Sequence, residues 1–321
     1  MASAHIVVVG STMIDMITYA KVIPNSGETV IGDNFKTGFG GKGANQATMA
    51  RRFEVQVSMV NTLGDDVFGE STLENFQKQG INTDFITRSH NSSGVAPIWV
   101  DPAGSNRIIC VPGANNDMTE AQAQSAVETL PNISVVIGQL EIPQNITAVA
   151  FQTARKKGIP TILNPAPHAP ISKELLEAAE WIIPNEYEFA GLHPEGKHPD
   201  SDEVIKDLAK RLNCRLAVTL GEAGAAFTTL DGEVVRVNAP KVDVIDTTGA
   251  GDAFVGAFAV GIASGLSDES AVRLGCLCAS DSVRRLGTQS SYPSIEESKK
   301  FYFNEGGKWQ SADFFNSAWL G

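Results

Sequence analysis

Residues 246–254 run Asp-Thr-Thr-Gly-Ala-Gly-Asp-Ala-Phe, small residues between two carboxylates at the start of a predicted helix. The first N–H groups of a helix have no partner within it and the macrodipole is positive there, so such a terminus can hold an oxyanion. Gly249, Ala250 and Gly251 leave that backbone bare enough for a phosphate to reach it. Asp252, in the first turn, is placed to accept a hydroxyl proton while the oxygen attacks a phosphorus held over the N–H groups. A base beside an anion hole is equipment for phosphoryl transfer. An Asp in the first turn is also an ordinary helix-stabilising choice, so this segment alone does not decide the matter.

A second glycine cluster adds weight. Residues 38–47, Gly-Phe-Gly-Gly-Lys-Gly-Ala-Asn-Gln-Ala, carry one cation and two amides. They satisfy G-x-G-x-x-G formally, but residues 33–37 before them do not read as a buried strand entering a tight turn, and no dinucleotide site is expected. A Walker loop is not expected either, because position 36 is Lys and Gly43 stands where Ser or Thr should follow Lys42. The remaining reading is that Gly40 and Gly41 let a polyhydroxylated substrate approach the backbone, with Lys42 and Asn45 supplying hydrogen bonds.

The elements that must position these groups follow from periodicity. Residues 6–9 are a continuous apolar run ending in Gly10-Ser11, the pattern of a strand buried on both faces of a parallel sheet. Between residues 19 and 37, mixed segments surround Pro24-Asn25-Ser26-Gly27 and predict a hairpin outside the main core. A helix is expected from Gly41 to about Phe53, a strand over 57–62 and a helix over about 67–79. Short strands over 95–100 and 106–111 would join the hairpin in a small separate sheet. Beyond Thr119 the types alternate, with helices from 120, 145, 173 and about 202 and strands over 135–138, 161–163, 181–183 and 216–219. A hairpin over 225–237 and helices over 249–264 and 268–285 complete the series. That rhythm predicts a parallel sheet with crossover helices, in which ligands gather past the carboxyl ends of strands. Ser11, Gln139, Leu140, Glu141, Asn164, Asn185 and Thr219 fall just past such ends and are expected to converge.

With 321 residues, 42% of them hydrophobic, the chain can bury a substantial core. A net charge of −12 argues against nucleic acid and anionic membranes as general partners, and small substrates are expected. The cysteines at 110, 214, 276 and 278 read as thiols in a reducing compartment. The N-terminus has no basic lead and no stretch approaches the ~20 apolar residues of a membrane span, so a cytoplasmic protein is expected. The five histidines show no i, i+4 pairing that would suggest zinc.

Gly40-Gly41-Lys42-Gly43-Ala44-Asn45, together with Asp246-Thr247-Thr248-Gly249-Ala250-Gly251-Asp252, resembles the two signatures of the ribokinase-type (PfkB) carbohydrate kinases, over about residues 5–300. Pro112-Gly113-Ala114-Asn115, Gln139-Leu140-Glu141, Asn164-Pro165-Ala166-Pro167 and Gly287-Thr288-Gln289-Ser290-Ser291 point to the branch that acts on ribose. The resemblance implies an α/β fold: a three-layer αβα sandwich with a mostly parallel central sheet and a small β-sheet lid. It assigns residues 1–303 to one kinase domain, with lid segments about 13–40 and 95–112, and leaves 304–321 as an extension of unknown role. It implies transfer of the ATP γ-phosphoryl group to the 5-hydroxyl of D-ribose. The alternatives are a kinase of this fold for a nucleoside such as pseudouridine or for another sugar, and a non-catalytic sugar-binding protein.

Carried over residue by residue, the resemblance makes Asp252 the general base and Gly249, Ala250 and Gly251 the anion hole. Asp15, Gly41, Lys42, Asn45 and Glu141 would grip the ribose hydroxyls alongside Asp252. Asn185 and Glu188 would handle Mg2+ and phosphates through water, while Thr219, Gly221, Gly224, Gly251 and Cys276 would meet the nucleotide. Asp246, Thr248, Ser282, Arg285, Gly287 and Ser291 match positions that surround a monovalent cation, so K+ is implied as well. Simple capping by Asn185 and a plain turn at Gly221 and Gly224 remain competing readings. Met13 stands where many bacterial relatives have Asn, which leaves the sugar open. The small sheet would expose apolar surface and free edges, which predicts a homodimer through the lid.

Overall fold

The computed structural model describes residues 4–103 and 105–304. Strand β1 (His5–Val9) sends Ile6 and Val8 into one apolar cluster and Val7 and Val9 into another, which is why it reads as an unbroken apolar run. The chain then leaves the core for β2 (Met13–Tyr19) and β3 (Asn34–Gly40) and returns in α1 (Lys42–Arg51). β4 (Gln56–Gly64), α2 (Val67–Gln79) and β5 (Asn82–Ser89) follow, and then β6 (Val95–Val100) and β7 (Asn106–Ile108). Regular alternation occupies the centre: α3 (Glu120–Thr129), β8 (Ile133–Gly138), α4 (Gln144–Lys156), β9 (Thr161–Leu163), α5 (Lys173–Ala178), β10 (Trp181–Ile182), α6 (Glu186–Leu192), α7 (Asp202–Leu212) and β11 (Arg215–Thr219). The chain continues through β12 (Ala225–Thr228), β13 (Val234–Val237), α8 (Ala250–Ala263), α9 (Asp268–Ser282) and α10 (Ile295–Asn304).

The nine-stranded sheet runs β13-β12-β11-β10-β9-β8-β1-β4-β5, parallel from β11 to β5, with β12 and β13 antiparallel at one edge. One cluster packs α1, α8 and α9 on one face, and the other packs α3, α4, α5 and α7 on the opposite face, which gives three layers. The second sheet has four strands in the order β3-β2-β6-β7. It meets the core at a waist where the Thr12 hydroxyl donates to Asn61 Oδ1 of β4 at 3.2 Å. The core-side end of the small sheet is closed by Met13 pairing with Gly40, the Ile14 N–H donating to the Gly94 carbonyl at 2.9 Å and Val95 bridging Val111.

Two features place the site. Gly41 has φ 86°, and a methyl there would meet the Thr12 and Met13 backbone at 2.7 Å, so β3 can turn into α1 only through glycine. Gly256 lets α8 lie against α1, since a methyl on it would meet the Gln46 carbonyl oxygen at 2.7 Å and Met49 Cβ at 2.8 Å. The first turn of α8 is thereby brought beside the first turn of α1.

Several elements differ from the sequence reading. The hairpin expected between residues 19 and 37 has its strands at Met13–Tyr19 and Asn34–Gly40, on either side of a long connection. β5 was not anticipated: it is an edge strand with no continuous apolar run and few buried positions. β7 is shorter than the expected 106–111, with Val111 making only an isolated bridge. α10 was also unread. The expected extension lies outside the described residues from position 305 onward.

Candidate active site

Asp252 lies in the first turn of α8 and is 6% exposed. Asn45 Nδ2 donates to its Oδ2 and Gln46 Nε2 to its Oδ1, both at 2.9 Å. Gln46 Nε2 also donates to Asn164 Oδ1 at 3.1 Å, while Asn164 Nδ2 donates to the Ile183 carbonyl at 3.0 Å. The carboxylate is therefore held by amides on α1 that link it to the ends of the central strands, with lone pairs left to accept a further proton.

The α8 terminus carries the second half of the chemistry. Gly249 caps it at φ 76°, and a methyl there would meet Thr288 Cγ2 at 2.5 Å. The Ala250 N–H donates to the Thr247 carbonyl at 3.2 Å. Among the described residues no acceptor meets the Gly251 or Asp252 N–H, and nothing stands within 4 Å of a methyl built on Gly251, so the open face lies there. Of the expected hole, then, Gly251 offers an unengaged donor and Ala250 one already shared. The hydroxyl of Tyr292 donates to the Gly249 carbonyl at 3.1 Å and fixes the cap from behind. Burial, with Asp252 and Asp15 nearby, pushes that phenol well above its ordinary range, so it stays a donor.

A cavity of about 180 Å³ opens at this point, lined by Lys42, Asn164, Asn185, Glu188, Thr219, Gly249, Gly251 and Asp252 among others. A larger cleft of about 870 Å³ lies at the opposite strand ends around Arg215 and holds none of the expected site residues. Lys42 is the cation of the smaller cavity. Burial would lower its ammonium, but Asp252, Glu141 and Glu188 together hold it above the usual lysine value. Glu188 is raised by burial, against the Asn185 N–H and Lys42, which pull it down.

On the side toward the small sheet, Glu141 Oε2 accepts the Ser11 hydroxyl at 2.5 Å and the Lys42 N–H at 2.9 Å. Asp15 overlies Gly40, where a methyl would meet its carboxylate oxygens at 2.4 and 2.6 Å. Burial, then the charges of Glu141 and Asp252, push Asp15 up to about 6. Met13, two residues earlier on the same face of β2, is 4% exposed, with its sulfur 4.0 Å from Asn115 Nδ2. Asn115 Oδ1 accepts the Thr12 N–H at 2.9 Å and its Nδ2 donates to the Thr12 carbonyl at 2.8 Å, which fixes the turn into β2.

The remaining expected residues divide. Asn185 and Glu188 form a capping box on α6, with Asn185 Oδ1 accepting the Glu188 N–H at 2.8 Å and Glu188 Oε2 accepting the Asn185 N–H at 2.9 Å. They line the cavity all the same, and Glu188 Oε1 stays available for a hydrated cation. Among the described residues no group of three His, Cys, Asp or Glu side chains could hold a metal directly. Thr219 lines the cavity, whereas Gly221 and Gly224, at φ 54° and 95°, form the turn from β11 to β12 away from it. Cys276 is 3% exposed inside α9 and does not line the cavity, and burial pushes its thiol up to about 12.

Behind the α8 cap, Asp246 accepts the Thr248 and Gly287 N–H groups, both at 2.9 Å. Burial would raise its carboxyl, but Thr248 and the Gly287 N–H hold it below its ordinary value, so a fixed negative charge sits there. Arg285 donates to the Ser291 carbonyl at 3.0 and 2.8 Å, so a side-chain guanidinium already occupies one expected cation ligand. The Ser282 hydroxyl donates to the Ala279 carbonyl at 2.8 Å, at the end of its own helix. The carbonyls of Thr248, Arg285 and Gly287 accept no backbone or side-chain hydrogen bond among the described residues. The donor set at Asp246 suits a cation better than the Ser291 and Ser282 side does.

Nothing in the sequence marks the side-chain partners of Gln46, Gln139 or Gln289, although all three lie in singled-out motifs and Gln139 is expected near the ligand. Their contacts are to other side chains, and no local pattern encodes that.

Comparison with known proteins fits this geometry. The pfkB family carbohydrate kinase profile matches residues 3–295. Ribokinase of Schizosaccharomyces pombe is 38% identical over 305 residues, covering 91% of this chain and 96% of that protein. Deoxyribokinase of Salmonella typhi is 39% identical over 306 residues, covering 94% and 97%. The structure of Arabidopsis thaliana ribokinase complexed with ribose and ATP superposes with a TM-score of 0.85 at 30% identity, covering 94% of this chain and 99% of that one.

Proposed function

The chain belongs to the pfkB family of carbohydrate kinases, and from that premise we propose an ATP-dependent ribokinase that transfers the γ-phosphoryl group to the 5-hydroxyl of D-ribose. The observation that carries this reading is the amide-held carboxylate of Asp252 beside the unengaged Gly251 N–H. Asp252 takes the hydroxyl proton as the oxygen attacks, and the start of α8 stabilises the transferring phosphoryl group. Asp15, Lys42, Asn45 and Glu141 orient the sugar; the space beside Gly40 and Gly41 is taken by the Asp15 carboxylate and the Thr12–Met13 backbone rather than opened to substrate as expected, and the Gly41 turn serves to set Lys42 and Asn45 at the site.

The phosphates of ATP would enter the cavity that Asn185, Glu188 and Thr219 line. Bound Mg2+ supplies charge neutralisation on the phosphates, and Glu188 with Asn185 would hold it through water. K+ is proposed beside Asp246 and the carbonyls of Thr248, Arg285 and Gly287. The four unbridged cysteines support a reducing compartment, and we place the protein in the cytoplasm. Homodimerisation through the small sheet is part of the same proposal: Ile31, Phe35, Ile108 and Ile109 are exposed there by 90, 58, 50 and 56%.

A second reading keeps the chemistry and changes the sugar. Met13 sets a thioether on the Asp15 face of β2, a contact that suits a carbon bearing no hydroxyl. The 39% identical deoxyribokinase supports it.

ATP consumption with Mg2+ and K+ across a sugar panel is the test. D-ribose should lead, and Asp252→Asn should lower kcat by ~10²–10⁴-fold. A 2-deoxy-D-ribose kcat/KM well above that for ribose would establish the second reading, and near-normal turnover by Asp252→Asn would remove the mechanism.

A further inference from the structure

The two amides that hold Asp252 are chemically reversible. A carboxamide turned by half a rotation exchanges oxygen for nitrogen, and an oxygen facing Asp252 would set two acceptors 2.9 Å apart. Each amide therefore needs a lock. For Gln46 it is Gln139, whose Nε2 donates to Gln46 Oε1 at 2.6 Å. For Asn45 it is Gln289, whose Nε2 donates to Asn45 Oδ1 at 3.1 Å. Neither lock touches Asp252 in the structure.

Of the two, only Gln289 is held by groups other than the amide it locks. Gln139 is fully buried, its side chain bonds Gln46 and its Oε1 has no partner; a half-turn would set that oxygen against Gln46 Oε1. Gln289 is 8% exposed, Asn75 Nδ2 donates to its Oε1 at 3.5 Å, and its carbonyl accepts Arg52 Nη2 at 3.4 Å. It also stands on the loop whose Gly287 N–H is bound by Asp246 at 2.9 Å.

We propose that Gln289 is a positioning residue for phosphoryl transfer: its carboxamide locks Asn45 in the orientation that donates to Asp252, and so ties the 287–291 loop to the base. Gln139 does the same for Gln46. The inference rests on the reading of Asp252 as general base.

Gln289→Met keeps the length of the side chain and removes the hydrogen bond. It should lower kcat by ~10-fold while the KM values for sugar and ATP stay within about threefold. In an Asn45→Ala background the same substitution should change kcat by less than about twofold, because the lock then has nothing to hold. Gln289→Glu, which can only accept, should turn the Asn45 oxygen toward Asp252 and fall below Gln289→Met. Wild-type kcat for Gln289→Met, an equal loss in both backgrounds as structural damage would give, or Gln289→Glu more active than Gln289→Met each overturns the inference. Asp252→Asn separates the two readings. If it keeps turnover, the base reading fails; if it is inactive while Gln289→Met is normal, only the role of Gln289 fails.

Discussion

Asp15 is the residue whose ionisation should be visible in kinetics. Burial and two neighbouring carboxylates raise it to about 6, so above that pH it is charged and able to accept hydroxyls as the proposed sugar grip requires, and below it the carboxyl is protonated. The sugar KM should therefore rise as pH falls through about 6, while Asp15→Asn should give a high KM without that dependence. KM measured from pH 5 to 8 at saturating ATP checks this. The sign for stability is opposite to that of an ion-paired carboxylate. A raised folded value means that the native state binds the proton more tightly, so this group destabilises the fold as pH rises from 3.8 to about 6. Residues at this scale were legible where chemistry and glycine spacing coincide, as at Lys42 and Asp252. Gln289 was not, because its partner Asn45 is 244 positions away and only the packed fold brings them together.

At the scale of elements, the contact between α8 and α1 decides where Asp252, the proposed base, stands. Gly256→Val should force the helices apart, since even a methyl lacks room against Gln46 and Met49. We expect a loss of ~1–3 kcal/mol, read as a lower Tm, together with a fall in kcat as Asp252 is drawn from its two amides. Most elements were legible because both faces of the main sheet are covered and its strands read as apolar runs. The edge strand β5 buries few of its residues, and no periodicity distinguished it from loop. The bounds of α2 and β9 needed no correction, the first being marked by Asp66 as N-cap and Gly80 at φ 72°.

For the whole molecule, an acidic protein of net charge −12 exposes Phe35 and Ile108 on strands of the small sheet and Val22, Val30, Ile31, Ile109 and Val111 on the segments adjoining them. If that sheet is the interface, light scattering at micromolar concentration should report a dimer, and Ile31→Glu with Ile108→Glu should report a monomer with its fold intact. The waist between the sheets has a further consequence. Asp15 stands above it, while Lys42 and Glu141 stand below it, joined to the core through Ser11. A sugar held by all three spans the joint like a bolt, so its binding free energy includes whatever it takes to set the upper sheet. Lys42 also lines the cavity proposed for the ATP phosphates, so the two proposed ligands meet at this side chain. On the proposed function, whatever factor the sugar imposes on ATP binding through Lys42, reciprocity requires ATP to impose on the sugar, whichever ligand arrives first.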